Sequence, residues 1–150
     1  MSSTTPSATH WYGQPVVEAP RMARVLVVDD NDTYAERIAN FLKAHGTEET
    51  VRAHNAAEGI EILGAQGDRL DGVVTDISME RELAGLSVLA YARDHGFRGR
   101  VATASTAFDR RLGFFINRFI LGGWYKSEFL IPKKPIIERD EHLWVRVRRG

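Results

Sequence analysis

Along the chain, short apolar runs alternate with segments whose apolar positions recur every three or four residues. The run RVLVV (24–28) is continuously apolar after its arginine, which suits a strand buried on both faces. DTYAERIANFLKAHG (32–46) follows, with Tyr34, Ile38, Phe41 and Leu42 at helical spacing and Gly46 as a stop. ETVRA (49–53) predicts a second strand. NAAEGIEILGAQG (55–67) predicts a helix opened by Asn55 with Glu58 three residues on, a capping-box arrangement. DGVVTD (71–76) predicts a third strand, and GLSVLAYARDHG (85–96) a helix from about Leu86 to His95. RVATAS (100–105) predicts a fourth strand, FDRRLGFFINRFILGG (108–123) a fourth helix and SEFLI (127–131) a fifth strand. The end, ERDEHLWVRVRRG (138–150), reads as a fifth helix, although WVRVR alternates as a strand would.

Five strands, each followed by a helix, predict an α/β fold: a doubly wound, five-stranded parallel sheet covered on both faces. Residues 1–20 are rich in Ser, Thr and Pro without periodicity, and predict a disordered or loosely docked tail. Residues 21–150 then form one domain with an extended fourth-helix and fifth-strand region. Trp11 and Tyr12 stand out in the tail, either as a pair packed on the domain or as a partner anchor. On the fourth helix, Phe108, Leu112, Phe115, Ile116, Phe119 and Ile120 form one wide stripe expected to face the core. Phe114 and Leu121 fall opposite it, beside Arg110, Asn117 and Arg118. They are expected to form an exposed contact surface, or to be covered by the tail.

Composition narrows the function classes. The 150 residues are 43% hydrophobic, and 20 acids balance 20 bases, so the chain as a whole carries no electrostatic footprint for nucleic acid or an anionic membrane. There is no cysteine, hence no disulfide framework and no thiolate metal site. No apolar run reaches the roughly 18 residues of a bilayer span, and no secretory leader pattern opens the chain. A cytoplasmic protein is expected. The five histidines, His10, His45, His54, His95 and His142, show no ligand spacing and read as surface residues. The basic end RVRRG reads as a solvated helix end.

Candidate chemistry sits at the strand ends, because parallel α/β sheets bind ligands outside the carboxyl ends of their strands. The first strand ends in Asp29 and Asp30, the third in Asp76, the fourth near Ser105, and the fifth leads to Lys133 and Lys134. Adjacent carboxylates resist burial, and a divalent cation can hold acids of two strands together.

These pieces, VLVVDD, VVTD, GLSVL, a fourth-strand hydroxyl and a Lys-Pro pair, resemble the receiver domain of the response-regulator family, the phosphoacceptor half of two-component signalling. The resemblance spans about Arg24 to Arg149. It implies the flavodoxin-like strand order 2-1-3-4-5 and a set of roles. Asp76 resembles the phosphorylated aspartate, Asp30 the direct metal ligand, and Asp29 the acid that holds metal-bound water. The carbonyl of Ser78 resembles a third protein ligand to Mg2+ (or Mn2+), Ser105 the hydroxyl that bonds the phosphoryl group, and Lys134, before Pro135, the phosphoryl-pairing lysine. Lys133 is the alternative amine, and Thr103 and Thr106 the alternative hydroxyls.

The implied partners are a histidine kinase or phosphotransfer protein and, downstream, a protein target or a second copy meeting the helix-four and strand-five face. Nucleic acid and membrane are not expected partners. The implied chemistry is confined to the chain's own phosphoryl transfer and dephosphorylation. The sequence departs from the family in three places. The Asp76–Gly85 loop is one residue longer and lacks its usual proline. The Ser105–Lys134 stretch is several residues longer. Ile131 (or Leu130, counting from Lys133) stands where an aromatic is common. These departures keep a second reading open, an interaction module with the fold but no phosphorylation. A third, a phosphohydrolase with an aspartate nucleophile in DDND, lacks the expected spacing because Tyr34 follows Asp30 and Asp32 where a threonine is needed.

Overall fold

The computed structural model describes residues 9–77 and 85–148. Two strands come first, β1 (His10–Trp11) and β2 (Gln14–Val17). They are followed by β3 (Arg24–Val28), α1 (Asp32–Ala44), β4 (Glu49–Ala53), α2 (Ala56–Gln66) and β5 (Gly72–Asp76). Then come α3 (Gly85–Asp94), β6 (Arg100–Ser105), α4 (Arg111–Phe119), β7 (Phe129–Pro132), α5 (Lys134–Arg139) and β8 (Trp144–Arg146). The five parallel strands lie in the order β4-β3-β5-β6-β7, which is the expected 2-1-3-4-5 order.

Strand β3 explains why the apolar run needs no polar alternation. Val25 and Val27 pack on one face with Ile38 and Leu42 of α1 and Ile136 of α5. Leu26 and Val28 pack on the other with Leu63 of α2 and Val88 of α3. The helix starts obey local rules: Asn31 and Asn55 each cap a helix by accepting from the backbone three residues on, Tyr34 and Glu58. Glu58 accepts from the His54 amide and meets its ring, one residue beyond the Asn55 amide that a capping box would engage.

Three expectations are corrected. First, the tail between His10 and Val17 is not loose: β1 and β2 form a hairpin, and β2 pairs antiparallel with β8. Tyr12 and Gly13 supply the positive φ its tight turn requires, 45° and 86°. Second, the C-terminal helix starts earlier, at Lys134, and WVR is a strand that extends the sheet antiparallel beside β7. The alternation of WVRVR was the true signal, because Trp144 and Val145 are buried in two different clusters, one on each face of the sheet.

Third, the fourth helix is inverted. Phe114 and Leu121 are buried, at 1% and 0% exposure, in a cluster with Phe108, Leu130 and Leu143. Of the stripe expected in the core, only Phe108 is buried; Leu112, Phe115, Ile116, Phe119 and Ile120 face solvent. The predicted continuous helix is broken into a 3-10 turn (Thr106–Asp109), α4 and a π-turn (Ile120–Trp124). The break sets Phe108 on a different axis from α4, so helical spacing counted across it assigns the wrong face. The π-turn absorbs extra chain length, with the Tyr125 amide donating to the Ile120 carbonyl.

Candidate functional site at the strand ends

The end of β3 is built to hold carboxylates away from bulk water. The Asp29 amide donates to Ala53 O and its side-chain Oδ1 accepts from the Asn31 amide at 2.9 Å. Arg52 of β4 donates twice to the Asp29 carbonyl, at 2.7 and 3.1 Å, and once to Asp32 Oδ1. Asp29 is therefore fixed and buried, whereas Asp30 is exposed. Asp76 closes the adjacent strand β5 and is also buried.

One carboxylate oxygen from each of Asp29, Asp30 and Asp76 can be chosen so that all three lie within 4.8 Å of one another. Three such charges repel unless cations intervene. One cation is in place: Lys133 Nζ lies 2.8 Å from Asp29 Oδ2 and 3.3 Å from Asp76 Oδ2. Its ammonium also sits 4.3 Å from the centre of the Tyr34 ring on α1, a cation–π contact. Tyr34, expected only as an apolar helix position, thus joins the site; its place on the first turn after DDND was the available signal.

The lysine assignment is corrected. Lys134 is the first residue of α5 and its side chain is exposed; its backbone amide donates to Asp109 Oδ1 at 3.0 Å. Lys133 is the last residue before that helix and is buried. Counting back from Pro135 selects Lys134, but where strand ends and helix begins selects Lys133. The position three residues earlier is then Leu130, fully buried.

Of the hydroxyls, Thr103 is committed elsewhere, 2.8 Å from Ser127 Oγ inside the core. Thr106 is exposed. Ser105 is buried at the end of β6, one residue beyond the Asp76–Ala104 pair, and its carbonyl accepts from the Lys133 amide. Its Oγ accepts from the Ala107 amide at 3.0 Å, which leaves the hydroxyl proton available to an acceptor above the carboxylates. Ser78 lies outside the described residues.

The donor set fits a hard divalent cation. All three donors are carboxylates, and Asp29 Oδ2 is buried with no hydrogen-bond donor, its ion pair with Lys133 aside. Asp109, next to this edge, has its carboxyl held above the usual range by burial, a shift opposed by the Lys134 amide.

Among solved structures, the receiver domain of the Francisella response regulator 1452 is 24% identical, with a TM-score of 0.59, over 74% of this chain and 84% of that one. A response regulator receiver domain from Clostridium thermocellum is 25% identical, with a TM-score of 0.50, over 63% and 75%. The CheX–CheY complex with BeF3 and magnesium from Borrelia burgdorferi is 21% identical, with a TM-score of 0.51, over 63% and 64%. None of the curated proteins matches the chain. The family model described as the response regulator receiver domain matches residues 25–111, more than half of the sequence and the whole span from the first parallel strand to the start of α4. With that match, and with the acidic edge just described, this chain belongs to the response-regulator receiver domain family.

Proposed function

We propose that the chain is a cytoplasmic receiver that takes a phosphoryl group onto Asp76 from a partner phosphohistidine and signals by binding another protein. The observation that carries this reading is the convergence of three carboxylates within 4.8 Å, with one buried ammonium bridging two of them. Asp29, Asp30 and Asp76 are the residues that would hold Mg2+ or Mn2+, with the Ser78 carbonyl supplied by resemblance alone. A bound divalent cation neutralises charge on the incoming phosphoryl group, which otherwise meets an anionic pocket.

The remaining work belongs to the chain. An Asp76 oxygen attacks phosphorus, the phosphorus–nitrogen bond of the donor breaks, and the imidazole leaves with that electron pair. Lys133 neutralises a second phosphoryl oxygen, a task for which a compact ammonium on a flexible stem is suited. Ser105 donates its hydroxyl proton to a third. Both residues are joined through the backbone bond between the Lys133 amide and Ser105 O, so a shift of one is felt by the other. Phosphorylation enlarges the charge on Asp76 and biases the position of this loop.

The test is intact mass after incubation with Mg2+ and a small phosphodonor such as phosphoramidate. A gain of one phosphate, absent in Asp76→Asn, supports the reading. The second reading, a binding module without phosphorylation, is favoured by Leu130, a fully buried core residue where family members often carry an aromatic relay. No mass gain with folded protein and excess donor selects it.

A further inference from the structure

The turn between β6 and α4 is held from two sides. On one side stands the carboxylate edge. The Ser105 carbonyl accepts from the Lys133 amide, and Asp109 Oδ1 accepts from the Lys134 amide. The Ser105 Oγ accepts from the Ala107 amide, so its proton is unspent. On the other side stands the N-terminal hairpin. The Trp11 indole donates to the Phe108 carbonyl at 2.8 Å, and the Tyr12 hydroxyl donates to the Asp109 carbonyl at 3.0 Å. Only Thr106 and Ala107 separate Ser105 from Phe108. A displacement of Ser105 therefore reaches the hairpin within three residues of chain.

The hairpin's grip is of a kind that releases. β1 has two residues, and β2 is joined to the three-residue β8 through two residue pairs. So short an edge lies at the low end of local stability. Its two bonds to the turn are side-chain bonds near the surface, Tyr12 being 44% exposed, and each contributes little net. The turn also has room to shift. A cleft of about 700 Å³ opens between it and Leu112 and Ile116 of α4. A smaller one of about 230 Å³ lies between Trp11, Asp109 and Lys134.

We infer that Trp11 and Tyr12 are positioning residues for Ser105 and that the hairpin is a latch. Engaged, it holds the turn, and with it the Ser105 hydroxyl, in the position the structure shows. An anion bound above Asp76 draws Ser105 towards itself and loosens the hairpin. The inference rests on the proposed function for the identity of that anion, a phosphoryl group. Linkage makes the effect reciprocal: the factor by which the anion frees the hairpin is the factor by which freeing the hairpin favours the anion.

Trp11→Phe with Tyr12→Phe removes both donors and keeps an aromatic ring at each position. The probe is beryllofluoride with Mg2+, which takes a tetrahedral phosphoryl shape on a carboxylate oxygen, titrated into the full chain and followed by NMR. The three tryptophans give three indole N–H signals, and Trp11→Phe identifies that of Trp11. The Trp144 indole, buried on β8 without an acceptor, is the internal control. Saturation with the anion speeds solvent exchange of the Trp11 indole about tenfold and leaves Trp144 unchanged. The double variant binds the anion about tenfold tighter, and Tyr12→Phe alone gives part of that gain. Without the anion, the Lys133 amide of the double variant exchanges about tenfold faster, while the Leu42 amide in α1 keeps its rate. A Trp11 indole indifferent to the bound anion, or a double variant of unchanged affinity, overturns the latch. Exchange that rises equally at Lys133 and Leu42 also overturns it, because the hairpin then only stabilises the fold. A folded chain that does not bind the anion removes the phosphoacceptor reading, and the Lys133 amide then decides the latch alone. Anion binding without a response at Trp11 or Lys133 removes the latch and leaves that reading standing.

Discussion

Lys133 and Lys134 are adjacent, chemically identical and placed in opposite environments. Lys133 is the cation of a buried cluster, while Lys134 reaches solvent from the first turn of α5. Lys133→Met keeps the stem and removes the charge, leaving Asp29 and Asp76 facing each other. We expect a loss of about 3 kcal/mol in urea unfolding without divalent metal, partly restored by millimolar Mg2+. Lys134→Met is expected to change stability by no more than about 0.5 kcal/mol. His142 supplies a pH dependence. Burial holds its pKa below the ordinary histidine value, against the pull of Asp140 at 3.1 Å, and its ring stacks on Phe41. The unfolded chain takes up that proton near pH 6.5, about the model-peptide value, whereas the fold resists it. Stability from this residue is therefore complete above about pH 6.5 and is lost as the pH falls through the lower folded value. Urea midpoints measured between neutral and mildly acidic pH should decline, and His142→Phe should flatten the decline. At this scale the three aspartates were legible because a strand end fixes where a side chain goes. The lysine was not, because KKP does not say which residue is the last before the helix.

At the scale of elements, α3 begins where it does because of Gly85. Its amide donates to Ile77 O at 3.1 Å, and a Cβ there would collide with the Asp76 carbonyl and Ile77 Cα. Gly85→Ala must push the helix off the strand end that carries Asp76. We expect a loss of about 1–3 kcal/mol together with slower phosphate uptake by Asp76, read as melting temperature and intact mass. The helical period of the first three helices identified their positions because each is a single continuous element against the sheet. The fourth was misread because periodicity is meaningful only along one axis. Once the chain turns through 3-10 geometry before Arg110 and π geometry after Phe119, residues 108 and 112 no longer share a face.

For the molecule as a whole, the N-terminal hairpin is a structural part of the sheet and a clamp on the loop after Ser105. Trp11 Nε1 donates to Phe108 O at 2.8 Å and the Tyr12 hydroxyl donates to Asp109 O at 3.0 Å. Removing residues 1–17 exposes the edge of β8 and frees both carbonyls. By calorimetry the melting temperature should fall by about 5–10 °C, and the proposed phosphate uptake should survive, because the hairpin's hold is on Phe108, Asp109 and β8. The parallel sheet and the edge that carries the acids were determined by the sequence itself, since buried strands and amphipathic helices leave periodic marks and strand ends inherit their place from topology; the strand order came with the family resemblance. The antiparallel extension, the choice of Lys133 and the outward face of α4 were decided only in three dimensions. Each depends on which surface a segment finds to pack against, and a segment such as HWYGQPVV carries no periodicity until β8 offers it an edge.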